Sequence, residues 1–143
     1  MGLLERLRFN FWDPVGMIIS LIEAWKPTKC KTERAYEKSL YSFLHEKLED
    51  IQITRQYARG RIRADLVVGD KVIIELKNNL NSTTKYQRLV GQISEYKEWE
   101  GHILILLTGE TDPNLRKQLK KYIDREGLND DDLNGGTFTI IEK

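Results

Sequence analysis

The stretch Arg61-Ile-Arg-Ala-Asp65-Leu-Val-Val-Gly-Asp-Lys-Val-Ile-Ile-Glu75-Leu-Lys77 sets two acids and a base inside otherwise apolar, β-branched runs. Such charges are seldom buried unless they are paired or hold a metal. Strand alternation puts Glu75 and Lys77 on one face, two residues apart. Whether Asp65 joins them depends on the register of the preceding strand. If Gly69, Asp70 and Lys71 form a three-residue loop, Val68 pairs with Val72 and Asp65 comes opposite Glu75. A two-residue turn would send Asp65 to the other face. The odd-length loop is predicted, or a bulge or strand divergence with the same effect.

Two facing carboxylates repel, so one keeps its proton or the pair takes a cation. Mg²⁺ suits a few carboxylates together with waters and substrate phosphate oxygens. The Leu76 carbonyl, between the two side chains, is a further oxygen ligand. Lys77 then stands where it can orient or deprotonate an attacking water, or neutralise charge developing at phosphorus.

The elements that must position these residues follow from periodicity and punctuation. Residues 3–25 read as a broken apolar helix: Leu3, Leu4 and Leu7 recur at helical spacing, Pro14 interrupts, and Met17 to Trp25 resumes. After Pro27-Thr28 comes a cleaner helix, roughly Thr32 to Leu48, with Thr32 as N-cap and Ala35, Tyr36, Leu40, Phe43, Leu44 and Leu48 as its apolar stripe. Strands are predicted over Gln52–Arg59, Ile62–Val68 and Val72–Lys77, punctuated by Gly60 and Gly69-Asp70. A helix from Thr83 to Trp99 follows. His102–Thr108 reads as a buried strand, since its apolar run is continuous. Asp112-Pro113 opens a helix that ends near Gly127. An acidic loop, Asp130 to Asp132, leads to a last strand over Thr137–Ile141. The order α-β-β-β-α-β-α-β predicts an α/β fold, one central mixed sheet flanked by helices. The division expected is an N-terminal apolar helical arm, 1–27, and a domain over 28–143.

Asp65, a nine-residue gap and then Glu75-Leu-Lys77 resemble the signature of the PD-(D/E)xK (restriction-endonuclease-like) nuclease superfamily, with Ala64 standing where the usual Pro precedes the Asp. Gln92-Ile-Ser-Glu-Tyr96 is similar to the QxxxY motif of its RecB-type members, and its spacing puts Gln92 and Tyr96 on one helical face. The resemblance covers roughly residues 30–108 and matches the family's αβββαβ core in order. It implies a nuclease that hydrolyses DNA phosphodiester bonds, as an endonuclease, a structure-specific one included, or an exonuclease. Asp65, Glu75 and the Leu76 carbonyl would hold Mg²⁺, or Mn²⁺ in its place, with Lys77 assisting the water. The family also carries a glutamate on the first core helix. Glu37 is favoured for that role because Leu40, Tyr41 and Leu44 follow it, while Glu33, one turn earlier, stays open. Gln92 and Tyr96 would face the metal site or the bound strand. Family members of this size, such as archaeal Holliday-junction resolvases, often act as homodimers, and the apolar arm offers a dimer surface. A non-catalytic binding module, a nuclease subunit or an RNA-directed nuclease remain as alternatives.

Arg61 and Arg63 share the Asp65 face if that strand is regular, and would contact phosphates; the other reading is solvated strand ends. Lys85, Tyr86 and Arg88 could add phosphate contacts at the start of the next helix, though an ordinary exposed helix start is the favoured reading. His45 and His102 have no partners at ligand spacing and are expected to be structural. Asp130–Asp132 lacks the alternating ligands of a Ca²⁺ loop.

Composition bounds the rest. The 143 residues carry 23 Lys/Arg against 22 Asp/Glu, which excludes a generic basic DNA-coating protein. The charge is uneven: residues 28–99 hold 14 basic against 10 acidic side chains, and residues 100–143 hold 6 against 9, so a polyanion is expected to meet the middle of the chain. The single cysteine, Cys30, cannot form an internal disulfide. Charges interrupt every early apolar run, so neither a signal peptide nor a membrane span is expected, and a cytoplasmic setting is the simplest reading.

Overall fold

The computed structural model describes residues 3–4, 13–126 and 138–143. Helix α1 spans Pro14–Ala24 and α2 spans Glu33–Lys47. Strands β1 (Ile53–Arg59), β2 (Ile62–Val68) and β3 (Val72–Asn78) follow. Then come α3 (Thr83–Glu95), a 3₁₀ turn (Tyr96–Glu98), β4 (His102–Thr108), α4 (Pro113–Arg125) and β5 (Phe138–Glu142). The expected acidic loop at Asp130–Asp132 lies outside the described residues.

The caps act as their residue types suggest. The hydroxyl oxygens of Thr32 and Ser82 accept from the N–H of Ala35 and Lys85, and the Asp112 carboxylate accepts from Asn114 and Leu115. One boundary differs from expectation. The helix expected to resume at Met17 begins at Pro14 itself, the first residue of α1, capped by the Asp13 carboxylate 2.8 Å from the Gly16 nitrogen. A proline is tolerated there because its missing N–H has no intrahelical partner.

The five strands form one mixed sheet in the order β1-β2-β3-β4-β5, antiparallel for the first two pairings and parallel for the last two. The crossover helices α3 and α4 both cover one face. Leu89, Ile93, Leu115, Leu119 and Ile123 pack there with Ile73, Ile103, Ile105 and Leu107. Helices α1 and α2 cover the other, where Ile18, Ile22, Trp25, Leu40 and Leu44 pack with Leu66, Ile74, Leu76 and Leu104. The stretch of the N-terminal arm from Val15 to Trp25 thus belongs to the main core. Strands β3 and β4 are buried on both faces, which explains their unbroken apolar runs. Among the described residues, no helix is long and apolar enough to cross a membrane.

Two local irregularities position the acids. Gly69 and Asp70 both take left-handed φ values, 58° and 53°, and the Lys71 N–H closes back on the Val68 carbonyl at 3.1 Å. Lys71 is thereby an extra residue, and Val72 pairs with Val68 as the odd-length connection requires. The second irregularity lies between β1 and β2. Their ladder runs through Arg55↔Leu66 and Tyr57↔Ala64 but omits Gln56 and Asp65, and Gln56 has φ 50°. At that gap both strands change face. Ile53, Leu66 and Val68 pack under α1 and α2, whereas Tyr57, Ile62 and Ala64 pack under α3 and α4. A regular period of two would have kept each set on one side.

Candidate active site

Asp65 sits where the sheet opens on both sides. It is unpaired towards β1, and the β2–β3 ladder has ended at Leu66↔Ile74. Its carboxylate takes over the backbone's role: Asp65 Oδ2 accepts from the Leu76 N–H at 2.8 Å. In a strand the N–H and C=O of one residue point towards the same neighbour. The Leu76 carbonyl therefore also faces the gap between β2 and β3, where no ladder partner remains.

Glu75 lies on the α3 side of β3 and is 1% exposed. The Asp65 carboxylate is close enough for its charge to act on the Glu75 carboxyl. Tyr96 Oη stands 2.5 Å from Glu75 Oε2 and 2.8 Å from the Arg63 carbonyl. A phenol has one hydrogen and here meets two acceptors. A proton on Glu75 resolves the conflict, because the acid can donate while the phenol donates to Arg63. The electrostatics agree. Burial and then the Asp65 charge raise the Glu75 pKa well above its usual range, against smaller opposing effects of the Tyr96 hydrogen bond and Lys77. Burial, followed by Glu75, likewise drives the Tyr96 phenol upward.

Lys77 Nζ lies 4.0 Å from Glu75 Oε1, with its side chain largely covered. The expected trio of Asp65, Glu75 and Lys77 is therefore brought together at the C-terminal end of β3. Comparison with known proteins returns nothing similar: no family model matches the chain, and no curated protein or solved structure matches it significantly.

The two glutamates of α2 part company. Glu37, 4% exposed, is saturated by β1: its Oε2 accepts from Arg55 Nη2 at 2.9 Å and Arg55 Nε at 3.2 Å, and its Oε1 is hydrogen-bonded to Gln56. No contact among the described residues brings it to the carboxylate pair. Glu33 accepts from the Asn78 N–H at 3.3 Å, one residue past Lys77. Its pKa is raised first by burial, lowered by Lys77 and raised by Asp65, so it feels the charges of the site. Of the two candidates, Glu33 rather than the favoured Glu37 thus lies nearer the charges of the pair. The apolar residues after Glu37 mark the buried stripe of α2 and say nothing about which turn faces the site. Lys85, on the first turn of α3, adds a cation within electrostatic reach of Glu33 and donates to the Asn79 carbonyl at 3.0 Å.

Gln92, one turn before Tyr96, has a buried Oε1 that accepts no hydrogen bond. Arg61 is exposed, and Arg63 turns its Nη1 back onto the carbonyls of Gly60 and Ile62 at 2.7 and 2.9 Å. The two arginines do not share a regular strand face with Asp65, because β2 changes face at that residue. His102 is held by Thr139 at 2.8 Å with its pKa lowered by burial, and His45 stacks on Tyr41. Neither approaches the acids through any contact described.

The donor set fits a hard divalent cation. Asp65, Glu75 and the Leu76 carbonyl offer oxygen only, and the buried Glu75 carboxyl beside the Asp65 charge needs either a proton or a positive ion. Among the described residues no group of three or more His, Cys, Asp or Glu side chains is close enough to enclose a metal. Glu33 is thus within charge range rather than ligand range. Two carboxylates suffice for Mg²⁺, which keeps several waters, whereas a structural zinc site would need four protein ligands.

Proposed function

We propose that the chain is a metal-dependent nuclease of the restriction-endonuclease-like kind, hydrolysing phosphodiester bonds of DNA. The observation that carries this reading is the buried Glu75 carboxyl within reach of the half-buried Asp65 charge, with Lys77 beside it, where two strands diverge and leave a backbone carbonyl without a ladder partner. The αβββαβ order and the Tyr96–Glu75 contact support the family resemblance of the sequence. Mg²⁺ or Mn²⁺, when bound, supplies positive charge that polarises a phosphate oxygen and acidifies a water.

The chain's own residues do the rest. Asp65 and Glu75 hold the cation, and Tyr96 fixes the Glu75 rotamer. The Lys77 ammonium, restrained beside Glu75, neutralises charge on the phosphate or orients the attacking water. Glu33 replaces Glu37 as the helical acid and orients waters at the rim. The unsatisfied Gln92 oxygen accepts from a water or a substrate donor, because leaving it buried and unpaired costs about 1–3 kcal/mol. Homodimerisation through the N-terminal arm belongs to the same proposal, with Leu3 and Leu4 exposed at 61% and 78%.

The test is cleavage of labelled duplex, junction and single-stranded DNA, and of RNA, by purified protein with Mg²⁺. Cutting of DNA that is abolished in Asp65→Ala supports the proposal. Cutting of RNA alone would move the substrate class. Equal inactivity of wild type and variant on every substrate rejects catalysis.

A further inference from the structure

The strongest unassigned charge feature is the β1–β2 hairpin beyond the gap at Gln56 and Asp65. From Gln52 to Ala64 the chain carries four arginines and no acid. Arg55 is taken up by Glu37. Arg59, Arg61 and Arg63 are exposed, and none forms an ion pair among the described residues.

Their placement is informative. Cross-strand partners share a face. Arg59 pairs with Ile62 and lies on the α3 side, while Arg63 pairs with Ala58 on the opposite side. Arg61 is in the two-residue turn, made possible by Gly60 at φ 60°. Arg63 keeps its guanidinium at the tip through the Gly60 carbonyl, with three of its five N–H donors and its full charge still available. A ribbon meant to lie flat on an anionic surface needs cations on one face only. Cations on both faces and at the tip suit a slot with anionic walls on both sides, which is the groove of a duplex. The B-form major groove, about 12 Å wide, admits a two-stranded ribbon, whereas the deep, narrow A-form groove does not.

The ribbon is rooted in the active site. Tyr96 bridges the Arg63 carbonyl and Glu75, and Tyr57 packs edge-on against Trp99 at 6.1 Å. Five residues at ~3.3 Å each separate Asp65 from Gly60, so the tip stands roughly 16 Å from the acids. That distance spans about five base pairs.

We propose that this hairpin is an arginine ribbon that enters the major groove of duplex DNA about half a helical turn from the scissile phosphate. The substrate rests on the nuclease reading above, so the test is one of binding alone. A fluorescein-labelled 20-bp DNA duplex and the RNA duplex of the same sequence are titrated by anisotropy in EDTA across a salt series. The proteins are wild type, Arg59→Ala/Arg61→Ala, Arg59→Lys/Arg61→Lys, and Lys117→Ala/Lys120→Ala/Lys121→Ala on the exposed face of α4.

Losing two phosphate contacts makes the salt slope shallower by about two, so wild type loses about twelve-fold more affinity than the alanine variant between 50 and 200 mM salt. The lysine variant keeps the slope, which separates charge from folding. The α4 variant matches wild type, and the RNA duplex binds more weakly than DNA. Equal slopes for wild type and the alanine variant would overturn the proposal, as would loss of slope in the α4 variant alone or equal grip on the RNA duplex. Absence of duplex binding in a protein that still takes up Mn²⁺ sinks the ribbon and spares the metal site. Duplex binding without Mn²⁺ uptake does the reverse.

Discussion

Replacing Glu75 with Gln should stabilise the metal-free protein at neutral pH and remove a pH dependence that wild type carries. Glu75 is 1% exposed, feels the Asp65 charge, meets Tyr96, and has a folded-state pKa well above its ordinary value of 4.5. A carboxyl whose pKa is raised on folding contributes stability that is fully present below the unfolded pKa. That contribution is lost as pH rises through the folded one, because the unfolded chain has released a proton that the native state still holds. One proton's difference corresponds to a slope of about 1.4 kcal/mol per pH unit. Wild type should therefore lose up to ~1.4 kcal/mol for each unit above pH 4.5 until the folded pKa is passed. Glutamine keeps the shape and a donor without titrating. Urea melts from pH 4 to 8 in EDTA measure the difference between the two proteins, in which the rest of the molecule, including the smaller effect of Glu33, cancels. The wild-type curve should fall relative to the variant across this window. Parallel curves would mean that Glu75 is ionised in the folded protein, and the proton assigned to it would have to be abandoned.

The two glutamates of α2 should separate by phenotype. Glu33→Gln should reduce DNA cleavage at least tenfold with little change in the melting temperature. Arg55→Ala, which strands the buried Glu37 carboxylate, should lower stability by about 1–3 kcal/mol, read by urea melts. Trp25→Ala should cost about 3–5 kcal/mol, because the indole is buried against Tyr36 and hydrogen-bonded to Ser39 at 3.1 Å. Stability close to wild type would show that the arm does not belong to the main core.

Much of the architecture was legible because local signals agreed. Thr32, Ser82 and Asp112 cap the helices they precede, and the β2 and β4 boundaries fall where the apolar runs begin and end. The β2–β3 register could be inferred because only one pairing unites Asp65 with Glu75, although the means was a left-handed pair of turn residues followed by an extra Lys71. What stayed hidden depends on tertiary context. Nothing in Gln56 or Asp65 announces that both leave their ladder and that both strands change face there. That switch turns Arg63 away from the acids. The choice between Glu33 and Glu37 likewise needed the position of Arg55, a residue on another element. The C-terminal part of the predicted helix from Thr83 to Trp99 tightens into a 3₁₀ turn at Tyr96, where the side chain reaches inward to Glu75.

The most direct test is calorimetric titration of Mn²⁺ into wild type, Asp65→Asn and Glu75→Gln at neutral pH. Uptake by wild type that is lost or weakened at least tenfold in both variants is the predicted result. No uptake by wild type, or uptake indifferent to both substitutions, would contradict a cation shared by Asp65 and Glu75.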